Sequence, residues 1–247
     1  MKYSLGWKRD LPDFRDHKYS YKYAAQDLPN RIDLRPKMTS MYDQGALGSC
    51  TAQAIAAALE WEWAENRKTP PFLPSRLFIY YNEREIEGTV EVDNGAMLRT
   101  GMKVLNKYGF CKEKLWPYDI AQFRKKPHKN AYDEADENLV YNYARVTQSR
   151  KALLATLAQN QPIVCGFAVY SSIDDAKDNG QIPMPRWYNS FCGGHAILLV
   201  GYDMDQKHYI FRNSWGQKWG DNGYGYLPFD YIEDPDLAGD FWAIWTI

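Results

Sequence analysis

Residues 43–61 read DQGALGSCTAQAIAAALEW, a glycine-containing turn that gives way at Cys50 to a run of helix formers. Gly45 and Gly48 let the turn take backbone angles that side chains resist. From Thr51 to about Arg67 the composition predicts a helix, with Ile55, Leu59 and Trp63 four apart on one face. A thiol is therefore set at a helix N-terminus, among unpaired N–H groups and the positive end of the helix dipole. Both favour the thiolate, which is the nucleophilic form. Burial as a packing residue is the plainer reading of a free cysteine, and Cys111, Cys165 and Cys192 keep it. Cys50 departs from it only if partners lie elsewhere in the chain.

Working outward, the prolines of KTPPFLP (68–74) stop the first helix. SRLFIYYNEREIEG predicts a second helix capped by Ser75, and AMLRTGMKVLNKYG a third ending at Gly109. Beyond RKALLATLAQNQP (150–162), one more helix, the character changes. QPIVCGFAVY, HAILLVGYD, KHYIFRNSW, YGYLPF and DFWAIWTI are short, β-branched or aromatic, and separated by turn residues, which predicts antiparallel strands. Residues 119–140 are charged and irregular and read as an exposed insertion. Residues 1–27 are polar and aperiodic and read as an extended arm, and LPNRIDLR (28–35) starts the folded body. The expectation is an α+β protein, its helical lobe mainly 44–118 and its β lobe mainly 140–247, with a cleft between them.

The chain has 247 residues and a formal net charge of −1 from 30 basic and 31 acidic side chains, so no global field recruits nucleic acid or an anionic membrane. No stretch approaches the roughly 20 apolar residues of a membrane span, and the N-terminus lacks the apolar run of a signal peptide. Four cysteines without a Cys-x-x-Cys pair are not a disulfide framework. These features predict a soluble chain in a reducing, cytoplasmic compartment.

Partners for Cys50 appear in the second half. In CGGHAILLVGYD, His195 precedes an apolar run and reads as the entrance of a buried strand; Cys192 and His195 lack a second pair at metal-ligand spacing. In FRNSWGQKWGDNGYGYLPF, Asn213 falls between a strand and a Gly/Trp-rich turn. An Asn oxygen bonded to one imidazole nitrogen fixes the tautomer and leaves the other nitrogen to face a thiol. Trp215 and Trp219 could wall that bond off from water.

Taken together these segments resemble the papain-like cysteine peptidases. DQGALGSCTA is similar to their Gln-x-Gly-x-Cys-Gly-Ser-Cys-Trp stretch, GGHAILLVGYD to their histidine strand, and NSWGQKWGDNGYGYL to their Asn-Ser-Trp-Gly signature. LPNRIDLR resembles the start of their mature domain, and YGFCKEKLWPY their Gly-x-x-x-Glu-x-x-Tyr-Pro-Tyr segment. The resemblance covers about residues 28–247 in the family's order. It implies a two-lobed fold with a β-barrel-like second lobe, and a peptide or protein substrate without metal or organic cofactor. It implies Cys50 as nucleophile, His195 as base and acid, Asn213 and Trp215 to orient and shield the histidine, and Gln44 in the oxyanion hole. Gly48, Ser49 and Gly194 flank those residues as substrate contacts, and Asn94–Gly95 resembles the ledge that pairs with an extended peptide.

Two departures stand out. Leu47 replaces a disulfide-bonded cysteine and Thr51 the usual Trp. The 27 residues before the mature-like start are too few for the family's helical propeptide. They are expected either to gate the cleft, with Trp7, Leu11, Phe14 and Tyr19 as anchors, or to clamp the surface. A catalytically silent peptide-binding protein, and an enzyme of acyl transfer or isopeptide cleavage, are the competing functional readings.

Overall fold

The computed structural model describes residues 4–22, 27–67 and 73–245. The proline-rich turn at 68–72 lies outside the described residues.

Helix α1, Cys50–Arg67, runs through the centre of the molecule. Its Ala52, Ala54, Ala56, Ala57 and Ala58 are all buried, so small side chains let the helix pack closely on every side. Two acidic residues, Glu60 and Glu62, share that interior; Glu60 is bonded by Thr39 and lies 3.7 Å from Arg212. Helix α2, Arg76–Glu87, is capped by the Ser75 side chain, which accepts from the Phe78 N–H, and ends at left-handed Gly88. Helix α3 spans Leu98–Lys107.

The expected exposed insertion is instead partly packed. It contains helix α4, Lys129–Asp136, whose Ala131 and Ala135 are fully buried. Tyr132 ties it to α2 by donating to Asn82 Oδ1 at 2.9 Å. Two alanines one turn apart are too little apolar surface to show in a charged segment. Helix α5, Arg150–Ala158, follows with a Ser149 cap.

The second half forms a seven-stranded antiparallel sheet. Its strands are β2 (Arg31–Asp33), β4 (Asn142–Arg145), β5 (Ile163–Tyr170), β6 (Phe191–Asp203), β7 (His208–Arg212), β8 (Tyr224–Pro228) and β9 (Ala238–Trp245). The order is β4-β9-β5-β6-β7-β8, with β2 added to the far end of β6. Strand β6 is the spine: residues 191–199 pair with β5, and 201–203 pair with β2 on one side and β7 on the other. The sheet is open among the described strands, so the barrel-like second lobe is not a closed barrel. One core packs α1, α2 and α3 against the sheet, and a second lies between the sheet, α5 and the short helix α6 (Phe229–Glu233).

The arm's Trp7–Lys8 segment, β1, pairs in parallel with β3, Ala96–Met97.

Candidate active site

Cys50 is the first residue of α1 and is fully buried. His195 is the fifth residue of β6, not its first as the sequence suggested, because the Phe191–Gly194 segment joins the sheet despite its glycines. Its Nε2 lies 2.8 Å from Asn213 Oδ1. That oxygen also accepts from the Ser214 N–H at 2.8 Å, so the amide orientation is settled and Nε2 is the donor. The other ring nitrogen, Nδ1, is buried without a hydrogen-bond partner. An orphaned buried acceptor costs about 1–3 kcal/mol, which is the usual mark of a group kept free for a task. Trp215 stacks on the imidazole at 4.5 Å between ring centroids, and Trp219 meets Trp215 edge-on at 5.2 Å.

Gln44 is buried, and its amide is held as firmly. Oε1 accepts from the Ser214 hydroxyl at 2.7 Å, which turns Nε2 outward to donate to Leu47 O at 2.8 Å and to Ser4 O at 2.9 Å. Ser214 thus ties Asn213 and Gln44 into one unit, a role that no spacing rule revealed. The amide is aimed at a carbonyl oxygen, and that oxygen comes from the arm.

The arm lies in the cleft throughout this region. A Cβ on Gly6 would sit 1.9 Å from Gly48 O, so the strands touch backbone to backbone. The backbone N–H groups of Ala196, Gly6 and Thr51 are near enough to the Cys50 sulfur to favour its thiolate. Leu5 rests on Gly193, and Trp7 on Gly194. The Ala96 N–H donates to Gly6 O at 2.8 Å.

The arm carbonyl thus bonds Ala96, the residue after the expected Asn94–Gly95, while Gly95 itself lies directly against Gly6. The Gly95 N–H is taken by Tyr80 Oη at 3.2 Å, while Asn94 Oδ1 accepts from Lys8 Nζ at 3.1 Å. Gly48 is anchored by Asp93, whose carboxylate accepts its N–H at 3.0 Å. Ser49 is corrected outright: its hydroxyl points into the core, bonded to Tyr118 Oη at 2.6 Å and Gln53 Nε2 at 3.1 Å.

Covering the site sets its charge state. Burial pushes Cys50 up to about 12, against the three backbone N–H groups that favour the thiolate. Burial pulls His195 down to about 4, against the Asn213 bond. In this closed arrangement burial favours the neutral thiol and the neutral imidazole. All four cysteines are free thiols, and among the described residues no group of three or more His, Cys, Asp or Glu is placed to hold a metal.

Two of the expected arm anchors fail. Leu11 and Phe14 are exposed, Phe14 almost completely. Tyr19 does pack, edge-on to Trp245 at 5.5 Å. Main-chain bonds and charge supply the rest of the hold: the Tyr19 N–H donates to Arg145 O at 2.8 Å and the Arg145 N–H to His17 O at 2.7 Å. Asp10 accepts from the Arg99 N–H at 2.9 Å, Arg145 Nη2 at 2.7 Å and Trp242 Nε1 at 3.0 Å. Asp16 pairs with Arg99 at 2.5 Å and Arg145 at 2.6 Å.

Comparison with known proteins agrees with this geometry. The sequence pattern of the papain family cysteine proteases matches residues 28–232. A peptidase C1-like protein of Acanthamoeba polyphaga mimivirus is 40% identical over 98% of this chain and 86% of its own length. A probable cysteine protease of Arabidopsis thaliana is 29% identical, the match covering 92% of this chain and 64% of that protein. The crystal structure of xylellain, a cysteine protease from Xylella fastidiosa, superposes with a TM-score of 0.93 at 43% identity, covering 98% of this chain and 96% of xylellain. A Carica candamarcensis cysteine protease solved with E-64 shares the fold at a TM-score of 0.69 and 20% identity, over 89% of this chain and 99% of its own. The chain belongs to the papain family of cysteine proteases.

Proposed function

We propose that this cysteine peptidase cleaves peptide bonds by attack of the Cys50 sulfur, and that residues 4–19 hold it closed until they are displaced. The observation that carries the reading is the fixed imidazole. Asn213 secures the Nε2–H tautomer at 2.8 Å, and Nδ1 is left buried and unpaired. A structural histidine would have no reason to forgo its second hydrogen bond.

When the arm lifts, water returns to the cleft and the desolvation that dominates both shifts falls. The Cys50 proton then passes to Nδ1, giving a thiolate stabilised by the N-terminus of α1. The thiolate attacks a carbonyl whose oxygen turns toward Gln44 Nε2 and the Cys50 N–H. Each such donor is worth about 3–4 kcal/mol to the transition state. His195 gives its proton to the leaving amine, and the thioester is hydrolysed by a water that Nδ1 deprotonates. A substrate strand replaces the arm on the Ala96 N–H.

An epoxide thiol trap, with a peptide substrate assayed in parallel, tests the reading. The expected result is labelling confined to Cys50 and lost in Cys50→Ala, with turnover falling about 10⁴-fold or more. Turnover that survives the substitution would reject it. A protein that binds peptides without either labelling or turnover would be a silent member of the fold.

A further inference from the structure

Between α2 and β3 the chain runs through residues 88–95 without regular structure. Two fully buried side chains of α2 brace that loop from beneath. The Arg84 guanidinium lies over the Tyr80 ring, 4.2 Å from its centroid, and its Nη1 donates to Val90 O at 2.6 Å. The Arg84 carbonyl accepts from the Thr89 N–H at 2.8 Å. Tyr80 Oη accepts from the Gly95 N–H at 3.2 Å and donates to Asp93 Oδ1 at 2.5 Å.

Asp93 reaches the other way as well. The residue is exposed, yet both of its carboxylate oxygens accept the Gly48 N–H at 3.0 Å. Gly48 takes no positive φ, so its backbone conformation does not call for glycine. Space does: an added Cβ would come 3.0 Å from Asp93 Oδ1. Gly48 stands two residues before Cys50, and Asp93 three before Ala96, whose N–H donates to the arm's Gly6 carbonyl. One carboxylate thus joins the turn that delivers the sulfur to the segment that holds a peptide main chain, across 45 positions of sequence. Hydrogen bonds to an ionised acceptor are about twice as strong as neutral ones, which suits a brace made of so few contacts.

We propose that Asp93 is a positioning residue of this peptidase. It sets the distance between the ledge at Ala96 and the Cys50 sulfur, so that a peptide bond laid on the ledge falls at the nucleophile. The inference rests on the peptidase reading and adds a residue to it. Asp93 acts through Gly48 and Tyr80, and the ionisation of the thiol is left to α1 and His195. A misplacement of about 1 Å between reacting groups costs on the order of 10²-fold in rate. A small thiol reagent that needs no ledge is indifferent to such a shift.

The test alkylates Cys50 in the full chain with two reagents. Iodoacetamide needs only the thiolate, whereas a peptidyl epoxide must also lie on the ledge. Both wait on the same departure of the arm, so the ratio of their rates does not depend on how often the site opens. In Asp93→Ala we expect the ratio of epoxide to iodoacetamide rates to fall about tenfold or more. Tyr80→Phe, which removes the hydroxyl shared by Asp93 and Gly95, should lower it in the same direction. A merely structural role would change both rates alike, and an unmoved ratio in Asp93→Ala would overturn the proposal. Should that variant lack a native circular dichroism spectrum, Asp93→Asn is read instead, with a fall of about threefold expected from the loss of one acceptor. Where the arm keeps the wild-type rates below detection, every variant is read in a Gly6→Val background, since a Cβ there has no room against Gly48 O. Failure of both reagents to label Cys50 in that background would overturn the peptidase reading and the proposal with it. Labelling with an unmoved ratio would overturn the proposal alone.

Discussion

The two halves of the N-terminal arm meet the same body by different physics. Ser4–Lys8 lies in the cleft with its backbone against backbone, donating and accepting main-chain bonds and inserting one indole. Asp10–Tyr19 lies outside the cleft and is held by ion pairs, with Asp10 and Asp16 shared between Arg99 and Arg145, and by main-chain bonds of His17 and Tyr19 to Arg145. In the proposed reading the first half blocks and the second half holds. A blocker that must leave cannot itself be the tightest contact, and separating the two tasks allows release without loss of the fold. The comparison also explains why burial favours the neutral forms in the closed site: the covering half brings apolar and main-chain groups to Cys50 and His195.

The comparison can be broken at its weightiest point first. If the first half covers a working centre, His195→Ala should lower peptide turnover by about 10³-fold or more, as expected when a base and acid is removed. A smaller loss, measured as kcat/KM, would mean that the arm covers a cleft rather than a catalyst.

The holding half is probed by Arg145→Ala, which leaves Asp10, Asp16 and Asp240 without their shared guanidinium. Breaking such a part-buried network costs about 3 kcal/mol. Urea denaturation should register the loss, and epoxide labelling of Cys50 should quicken at the same time. Loss of stability without faster labelling would show that the clamp holds the body rather than the arm.

The smallest effect sharpens the electrostatic side. Burial first, and then the neighbouring Asp240 carboxylate, push Asp10 up to about 6. The folded state therefore binds a proton that the unfolded chain has released, and the associated stability is present near pH 4 and lost as pH rises through 6. Asp16 runs the other way: burial raises it, but hydrogen bonds from Arg99 and Arg145 hold it below the ordinary range. Arg99, Arg145, Asp240 and the Trp242 N–H all face Asp10. His195, pulled down by burial, loses stability as pH falls and overlaps the same window. The Asp10 contribution is isolated by comparing the wild type with Asp10→Asn. The difference in unfolding free energy between them should shift by about 1–2 kcal/mol from pH 5 to pH 7, the wild type losing relative stability. A flat difference would remove Asp10 from the account.

Much of the molecule was legible because its local signals agree with its tertiary ones. The Ser75 cap, the strand segments from 161 onward and the positions of Cys50, His195, Asn213 and Gln44 all follow from residue type and order. What was hidden depends on residues far apart in sequence. Ala96 gives no sign that its N–H serves as the ledge, since any residue could supply it. Ser214 orients Gln44 across 170 positions. Leu11 and Phe14 have the hydrophobic character of anchors but stand exposed, while Asp10 and Asp16 owe their importance to Arg99 and Arg145. Gly193 and Gly194 matter through the side chains they omit beneath Leu5 and Trp7. That is visible only once the arm lies on the strand.

The central claim is that the arm's backbone shuts the nucleophile away, and Gly6→Val tests it most directly. Gly6 takes no positive φ, so valine is barred by space alone: its Cβ would fall 1.9 Å from Gly48 O. The measurement is the rate of Cys50 alkylation at pH 7 in the otherwise intact chain. The account predicts at least about a tenfold acceleration over the wild type, with the Asp10 and Asp16 clamp still in place. Equal rates in a variant with native circular dichroism would contradict it.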